Sequence, residues 1–192
     1  MYKFAIALTG SIASGKSTVC SLLKLQGFSI IDADSIAHLV LDREIEGIAN
    51  IFGEEYINKS VVDRKKLGNL IFNNRDEKKR LEEFLHPKIK KEIEIQSSKL
   101  ESYRVPYIVD IPLFFETKNY DIKKIAVVYT PNEIIVDRLI KREGMSEKEA
   151  KQRLFSQIDI KKKKELATYV IDNSLNLKHL QKEVDKFVEL VK

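Results

Sequence analysis

The chain has 192 residues, of which 43% are hydrophobic and 33% are charged, and its formal net charge is +5. This length suits one well-buried domain with room for an inserted subdomain, and the composition is ordinary for a globular protein. No apolar run reaches the roughly 20 residues of a membrane span, so we expect no membrane association. The single cysteine excludes an internal disulfide and is typical of a reducing compartment, so the expected location is the cytoplasm.

The positive charge raises the question of nucleic-acid binding. Lysine and arginine are, however, spread along the chain and mixed with 29 acidic residues. The one dense run, Lys161 to Lys164, has no interleaved aromatic residues, and we interpret it as a solvated helix face. We therefore expect no nucleic-acid partner, and we attribute the modest positive balance to phosphate-rich small molecules.

The first predicted strand covers residues 3–9 and is followed by a loop and an amphipathic helix that stops at Gly27. Cys20 lies beside the apolar stripe of that helix, so packing is its expected role. A short second strand is predicted over residues 28–31. It leads into the next helix, "DADSIAHLVL".

Residues 43–104 are strongly charged and mostly helical, with no predicted strand. Within this block, His86 and Pro87 interrupt a helical pattern. Because proline suits the first turn of a helix, the pair predicts a break between two helices. The whole block is a candidate inserted subdomain.

Three more strands are predicted after this block from apolar, β-branched runs. They cover residues 106–110, 124–130 and 169–172. Ser146 and Glu149 form a capping box that begins a helix. The last helix has one apolar face, made by Leu177, Leu180, Val184, Phe187, Val188 and Val191. Strands that alternate with helices predict an α/β fold with a mainly parallel sheet.

The stretch "GSIASGKS" at residues 10–17 matches the phosphate-loop pattern G-x-x-x-x-G-K-[ST]. Gly10 and Gly15 permit tight turns, so that loop N–H groups and the following helix dipole face a phosphate. Lys16 is expected to reach the β- and γ-phosphates, and Ser17 to offer its hydroxyl to Mg²⁺. Because the pattern follows a strand and opens a helix, we predict nucleotide binding rather than an accidental glycine turn.

The class of nucleotide-binding protein follows from what the chain lacks. No guanine-reading N-K-x-D segment is present, and the chain is short for a motor or a helicase. The size favours a small-molecule kinase. A nucleotide-binding switch or a nucleic-acid-binding protein with incidental ATPase activity remains the rival of a different class.

Carboxylates at predicted strand ends are the candidates for chemistry. Asp32 ends the second strand, where it can accept the proton of an acceptor hydroxyl. We expect Asp34 to cap the next helix, which leaves Asp32 for catalysis. Asp110 ends the third strand and either binds Mg²⁺ or caps a loop. Glu116 belongs either to the site or to a surface turn.

Five stretches in order along the chain resemble the dephospho-CoA kinase family: "ALTGSIASGKST", "IIDADSIAHLV", "LEEFLHPKI", "DIPLFFE" and "YVIDNS". The resemblance covers essentially the whole chain. It implies a P-loop kinase with a five-stranded parallel sheet flanked by helices, plus helical substrate-binding and lid regions. The implied reaction transfers the γ-phosphoryl group of ATP to the ribose 3′-hydroxyl of dephospho-CoA. A nucleoside or nucleotide kinase with the same core is the rival within enzymes.

The resemblance also implies a division of the chain, taken as one kinase domain over residues 1–192. The core would comprise residues 1–42 and 105–192, with a lid at about 132–160 and a helical substrate subdomain at about 43–104. Contacts to the ATP phosphates are implied for Ala13, Ser14, Gly15, Lys16, Ser17 and Thr18. Asp32 falls on the presumed catalytic base.

Four residues in the second half of the chain also match the family pattern. Arg138 and Arg142 fall in the lid and, being four apart, share a helix face. They either stabilise the transferring phosphoryl group or pair with surface acids such as Asp137 and Glu143. The resemblance places Gln157 near a stretch that closes over ATP, and Asn173 in the segment that passes the adenine.

The chain departs from the family at three positions. Ser11 and Ala13 replace loop glycines, and we expect the loop to persist provided that both avoid a positive φ. Thr168 stands where the family commonly has Asp. The effect of that change is left open.

Contacts to the acceptor are less well defined by the sequence. Arg64 either meets the acceptor's phosphates or is an exposed helix residue, and His86 either touches the acceptor or is structural. Asp110 is a further candidate for substrate binding. His38 and His179 have no metal-ligand spacing, and no zinc site is predicted.

Overall fold

The structure is a computed structural model that describes residues 1–117 and 119–192. It contains two compact units: Met1–Ile31 together with Ser97–Lys192, and Asp32–Gln96. The second unit overlaps the helical block predicted over residues 43–104, whose substrate-binding role stays a prediction. Within the described residues, no helix combines the length and the apolarity needed to cross a membrane.

Strands and helices alternate along most of the chain. In chain order the strands are β1 (Ala5–Gly10), β2 (Ile30–Asp32), β3 (Ile57–Asn58), β4 (Val61–Val62), β5 (Tyr107–Asp110), β6 (Lys124–Tyr129) and β7 (Tyr169–Asp172). The helices are α1 (Lys16–Leu25), α2 (Ala33–Arg43), α3 (Ile45–Phe52), α4 (Arg64–Asn73), α5 (Arg75–Glu101), α6 (Phe114–Thr117), α7 (Asn132–Glu143), α8 (Glu147–Phe155), α9 (Ile160–Glu165) and α10 (Leu177–Val191). A 3-10 turn covers Glu54–Tyr56.

The central sheet has the strand order β2-β5-β1-β6-β7, which confirms the predicted five-stranded sheet. Strand β1 pairs in parallel with β5 and β6, and β6 pairs in parallel with β7. All six residues of β1 are buried, as expected for a central strand that is covered on both faces. The strand begins two residues later than predicted and runs to Gly10, because its pairing with β6 continues to Val128.

Helices α1 and α10 bury their apolar faces in one cluster against the sheet. Cys20 belongs to this cluster, so the prediction that it packs is confirmed. The predicted face of α10 is buried at four positions: Leu180, Val184, Phe187 and Val188. Leu177, at the first turn, is instead 57% exposed.

Helices α7 and α8 form a hairpin with a small core of their own. The capping box at Ser146 and Glu149 is present and begins α8. The buried residues of the core are Ile135, Leu139, Ala150 and Leu154. Ile12 and Ala13, from the loop between β1 and α1, pack against this core. The hairpin therefore supports the loop directly.

Two predictions for the unit Asp32–Gln96 are wrong. No helix break occurs at Pro87, which lies inside the continuous helix α5. Proline removes one N–H and disfavours a helix interior, but the buried Leu85 and Ile89 continue one apolar stripe on both sides of it. The burial of that stripe keeps the helix intact.

The unit also has strands that the sequence did not predict. Strands β3 and β4 form a small antiparallel hairpin in which Ile57 pairs with Val62. The two connecting residues, Lys59 and Ser60, have φ angles of 48° and 61°. A turn with a positive φ at both central residues normally contains Asn or Gly, so the sequence Lys-Ser did not predict it.

Candidate active site

The loop over residues 10–17 connects the end of β1 to the start of α1, as its pattern predicts. A Cβ on Gly10 would lie 2.6 Å from the hydroxyl oxygen of Ser14 and 3.0 Å from the carbonyl oxygen of Val128. Gly15 has a φ of +89°, and a Cβ there would collide with the side-chain amide of Asn173. Both glycines are therefore required by the close approach of neighbouring groups.

The expectation that Ser11 and Ala13 both avoid a positive φ is wrong for Ala13. The φ angle of Ala13 is +54°, whereas that of Ser11 is not positive. A left-handed backbone costs an L-residue about 1–2 kcal/mol relative to glycine. The loop accepts this strain because the carbonyl oxygen of Ala13 accepts a hydrogen bond from Arg138 Nη1 at 3.2 Å.

Three side-chain donors bind the carbonyl oxygen of Ser14 in the loop. This oxygen accepts hydrogen bonds from Asn173 Nδ2 at 2.7 Å, Thr130 Oγ1 at 3.0 Å and Arg138 Nη1 at 3.3 Å. With its carbonyl oxygens bound on one side, the loop can turn N–H groups towards an anion. The structure thus fixes the backbone on which phosphate binding depends.

Arg138 and Asn173 are parts of this support. Arg138 Nη2 also donates to the carbonyl oxygen of Asn173 at 3.0 Å, and burial lowers the pKa of the Arg138 guanidinium. Their predicted roles towards the phosphoryl group and the adenine stay predictions. Thr130 was missed by the sequence analysis. Its position directly after β6, at the edge where β1 also ends, is the signal that could have found it.

Lys16 and Asp110 form an ion pair beside the loop. Lys16 Nζ lies 2.5 Å from Asp110 Oδ1, and the two side chains are 19% and 10% exposed. Cys20 donates its thiol hydrogen to Asp110 Oδ2 at 3.3 Å. The carboxylate at the end of β5 therefore holds the ammonium group that the pattern assigns to the phosphates.

The donor atoms of Ser17 and Asp110 are of the kind that Mg²⁺ prefers. Mg²⁺ binds hard oxygen ligands and commonly uses one or two carboxylates plus phosphate oxygens. Among residues 1–117 and 119–192, no group of three or more His, Cys, Asp or Glu could hold a metal ion alone. The predicted metal-binding roles of Ser17 and Asp110 stay predictions.

Arg142 lies on α7 one turn after Arg138, and its side chain is 67% exposed. It pairs with Glu143 at 2.7 Å, which is one of the two alternatives that the sequence left open. Glu143 also pairs with Arg153 at 2.8 Å. A hydrogen bond from Arg142 is the main cause that lowers the pKa of Glu143. The role of Arg142 towards phosphate stays a prediction.

The prediction that Lys161 to Lys164 form a solvated face is wrong for Lys163. Its side chain is fully buried and pairs with Glu116 Oε1 at 2.7 Å. Nearby, the side-chain oxygen of Gln157 accepts a hydrogen bond from the backbone N–H of Ile12 at 3.0 Å. Nothing in the local sequence distinguishes this lysine from its neighbours except its place on the helix.

In the unit Asp32–Gln96, the cap of α2 differs from the prediction. Asp32, not Asp34, is the N-cap, and its Oδ1 accepts a hydrogen bond from the N–H of Ser35 at 3.0 Å. The helix begins one residue after β2 ends, so the strand-end carboxylate is itself the capping group. Elimination therefore does not single out Asp32 for chemistry, and its role as a base stays a prediction.

Arg64 is the first residue of α4 and makes a two-point contact with Asp42. Its Nη2 and Nε lie 2.5 Å and 3.3 Å from the two carboxylate oxygens. His86 is half-buried within α5. Their predicted roles towards the acceptor stay predictions.

Thr168, at the position where the family commonly has Asp, has a structural contact. Its Oγ1 accepts a hydrogen bond from the N–H of Ile125 at 3.1 Å, next to the start of β7. The Thr168 hydroxyl therefore binds a backbone group of β6.

Comparison with known proteins identifies the family. Residues 4–179 match the family model described as dephospho-CoA kinase. The chain belongs to the dephospho-CoA kinase family. It is 53% identical over 191 residues to a dephospho-CoA kinase of Sulfurimonas denitrificans, with 100% of this chain and 96% of that protein covered. It is 43% identical over 190 residues to the one from Helicobacter pylori strain J99, with 97% of each protein covered.

Solved structures agree with this assignment to the dephospho-CoA kinase family. The dephospho-CoA kinase from Campylobacter jejuni superimposes with a TM-score of 0.79 at 38% identity, covering 96% of this chain and 95% of that one. TT1252 from Thermus thermophilus gives a TM-score of 0.82 at 29% identity, with all of both chains covered. The resemblance found in the sequence and the P-loop kinase fold are confirmed.

Proposed function

We propose that this protein transfers the γ-phosphoryl group of ATP to the ribose 3′-hydroxyl of dephospho-CoA, which gives coenzyme A and ADP. The observation that carries the proposal is the match of residues 4–179 to the dephospho-CoA kinase family. The P-loop, with its backbone held by Arg138, Thr130 and Asn173, supports it independently. A phosphate-binding loop at the end of a central strand is what a kinase of this fold requires.

The loop and Lys16 bind the triphosphate in this proposal. Loop N–H groups and the N-terminus of α1 attract the phosphate oxygens. Lys16 is paired with Asp110 in the structure, and a bound triphosphate competes with that carboxylate for the ammonium group. The positive charge then lies against oxygens whose negative charge increases as ADP departs.

Asp32 is the proposed general base. Its carboxylate accepts the proton of the 3′-hydroxyl while that oxygen forms a bond to the γ-phosphorus. The bond between the γ-phosphorus and the bridging oxygen breaks at the same time, and its electron pair leaves with ADP. The proton is later released from Asp32 to water, so atoms and charge balance.

Further contacts to the substrates are proposed for other residues besides Lys16 and Asp32. Arg142 approaches the transferring phosphoryl group from the lid, with Arg138 behind the loop. Ser17 and Asp110 would hold Mg²⁺, which when bound neutralises charge on the β- and γ-phosphate oxygens. Arg64 and His86 are proposed to contact the acceptor.

The expected compartment is the cytoplasm, supported by the lone cysteine of the chain, Cys20, which is free and buried. The partners in this proposal are two small molecules, ATP and dephospho-CoA. The rival enzymatic function is phosphorylation of a nucleoside or nucleotide.

A panel of acceptors tests the proposal. The protein is incubated with ATP, Mg²⁺ and one of dephospho-CoA, adenosine, AMP, CMP or shikimate, and ADP formation is followed. We expect ADP formation to depend on dephospho-CoA. Transfer to a nucleotide at an equal or higher kcat/KM would overturn the assignment, as would ATPase activity that is stimulated only by oligonucleotide.

A further inference from the structure

Lys163 is completely buried, although it lies in a run of four lysines on α9. Its side chain is 0% exposed, whereas Lys162 and Lys164 on either side are exposed. A buried ammonium group loses its hydration, so its burial is tolerated only with strong partners. The partners it has are therefore informative about its role.

One partner belongs to the phosphate loop. Lys163 Nζ donates a hydrogen bond to the carbonyl oxygen of Gly10 at 3.1 Å. Gly10 is both the last residue of β1 and the first residue of the loop pattern. Lys163 thus holds the point at which the loop leaves the sheet.

The other partner is Glu116 on α6, a short helix after β5. Its Oε1 lies 2.7 Å from Lys163 Nζ and also accepts the N–H of Ile158 at 3.1 Å. Its Oε2 is buried and has no hydrogen-bond partner among the described residues. The negative charge of Glu116 therefore acts mainly on Lys163.

A second contact joins the same segment to the loop. The N–H of Ile12 donates to Gln157 Oε1 at 3.0 Å. The segment 157–163, which follows the hairpin of α7 and α8, is thereby attached to the loop at Gly10 and at Ile12. Both attachments hold backbone groups of the loop that is proposed to bind the phosphates.

We propose that Glu116 and Lys163 are positioning residues for ATP binding. Their buried ion pair fixes the carbonyl group of Gly10 and so holds the loop in the conformation that receives the phosphates. They act through the backbone of Gly10 rather than through contact with the transferring group. This inference rests on the proposed ATP-dependent reaction and adds residues that set its ATP affinity.

The matched variants are Lys163→Met and Lys162→Met, which make the same change on one helix at a buried and at an exposed position. The dissociation constant of a non-hydrolysable ATP analogue with Mg²⁺ is measured by titration calorimetry. We expect Lys163→Met to raise it about tenfold, as the loss of one charged hydrogen bond would. Lys162→Met should stay within twofold of the wild type. The titration needs no acceptor, so its result stands even if dephospho-CoA is not the substrate.

Steady-state kinetics give the second readout. Lys163→Met should raise the KM for ATP while leaving the KM for dephospho-CoA within twofold. An equal rise in both constants would contradict a role confined to the loop.

The double variant Glu116→Gln/Lys163→Met separates positioning from stability. It removes the buried carboxylate that the single variant leaves unpaired, so its melting temperature should recover towards the wild type. Its affinity for the analogue should stay reduced, because Gly10 still lacks its donor. Recovery of the affinity to within twofold of the wild type would overturn the proposal. If Lys163→Met alone does not fold, the affinity of the double variant relative to the wild type tests the proposal instead.

Discussion

The ammonium group of Lys16 and the carboxylate of Asp110 form an ion pair at 2.5 Å, at the junction of the phosphate loop with the end of β5. The same carboxylate accepts the thiol hydrogen of Cys20 from inside the core. The pair holds the ammonium group of Lys16 beside the loop. It also means that a change at Lys16 affects a buried acid as well as the nucleotide.

Lys16→Ala should lower turnover at least about 10²-fold, because it removes the charge that is proposed to neutralise the β- and γ-phosphates. It should also lower the free energy of unfolding, because Asp110 is left without its cation. Activity is measured by ADP release, and stability by urea denaturation. A folded Lys16→Ala protein with near-normal kcat would contradict the assignment of the loop.

The control for this change is Lys16→Ala/Asp110→Asn. Replacing the carboxylate by an amide removes the unpaired charge, so part of the lost stability should return. Activity should not return, since neither the cation nor the carboxylate is restored.

Asp32→Asn should reduce phosphoryl transfer by roughly 10²–10⁴-fold, the usual contribution of a positioned general base. The structure makes this substitution a clean test, because Asn caps a helix about as well as Asp and the bond to the N–H of Ser35 can persist. Asp34→Asn, two residues further along the chain, is the matched control and should have little effect. A greater loss for Asp34→Asn would show that the two aspartates are assigned the wrong way round.

Arg142→Ala should lower kcat more than it weakens ATP binding, because the proposed role of this exposed arginine of α7 is to stabilise charge that develops during transfer. Arg138→Ala should differ. It loses the hydrogen bonds to the carbonyl oxygens of Ala13, Ser14 and Asn173, so both ATP affinity and melting temperature should fall. Calorimetry with the ATP analogue and steady-state kinetics separate the two patterns. The account fails for Arg142 if that variant keeps the wild-type kcat.

Ala13→Gly should leave the protein at least as stable, with a gain of up to about 1 kcal/mol in the free energy of unfolding. Glycine relieves the cost of a φ of +54°, and the gain is limited by the lost methyl contact with the core of α7 and α8. Denaturant titration of Ala13→Gly and Ala13→Val measures the change in the free energy of unfolding. Ala13→Val should be clearly less stable than the wild type, and a destabilised Ala13→Gly would mean that methyl packing outweighs backbone strain.

The parts of the fold that sequence predicted well are those governed by local periodicity. The strand, loop and helix around Lys16 follow from apolar runs and a glycine pattern, and the capping box at Ser146 follows from spacing alone. Pro87 was misread because long-range burial of an apolar stripe outweighed a local preference. The hairpin around Lys59 was missed because its turn has no glycine or asparagine.

The candidate site was only partly predictable for a related reason. A motif names the residues that face the ligand, such as Lys16 and Ser17, but not those that hold the loop from behind. Thr130 and Lys163 reach the loop by the packing of distant segments, and their local sequences look like an ordinary strand end and an ordinary charged helix. Asp32 and Asp34 could not be separated because the start of a helix can shift by two residues without a change in the sequence pattern.

The identity of the phosphorylated oxygen tests the proposed function most directly. Wild-type protein is incubated with ATP, Mg²⁺ and dephospho-CoA, and the product is analysed by phosphorus NMR and mass spectrometry. The account predicts one phosphate added per molecule, on the ribose 3′-oxygen, with one ADP formed for each coenzyme A. A product phosphorylated elsewhere, or ADP formed without phosphorylation of dephospho-CoA, would contradict it.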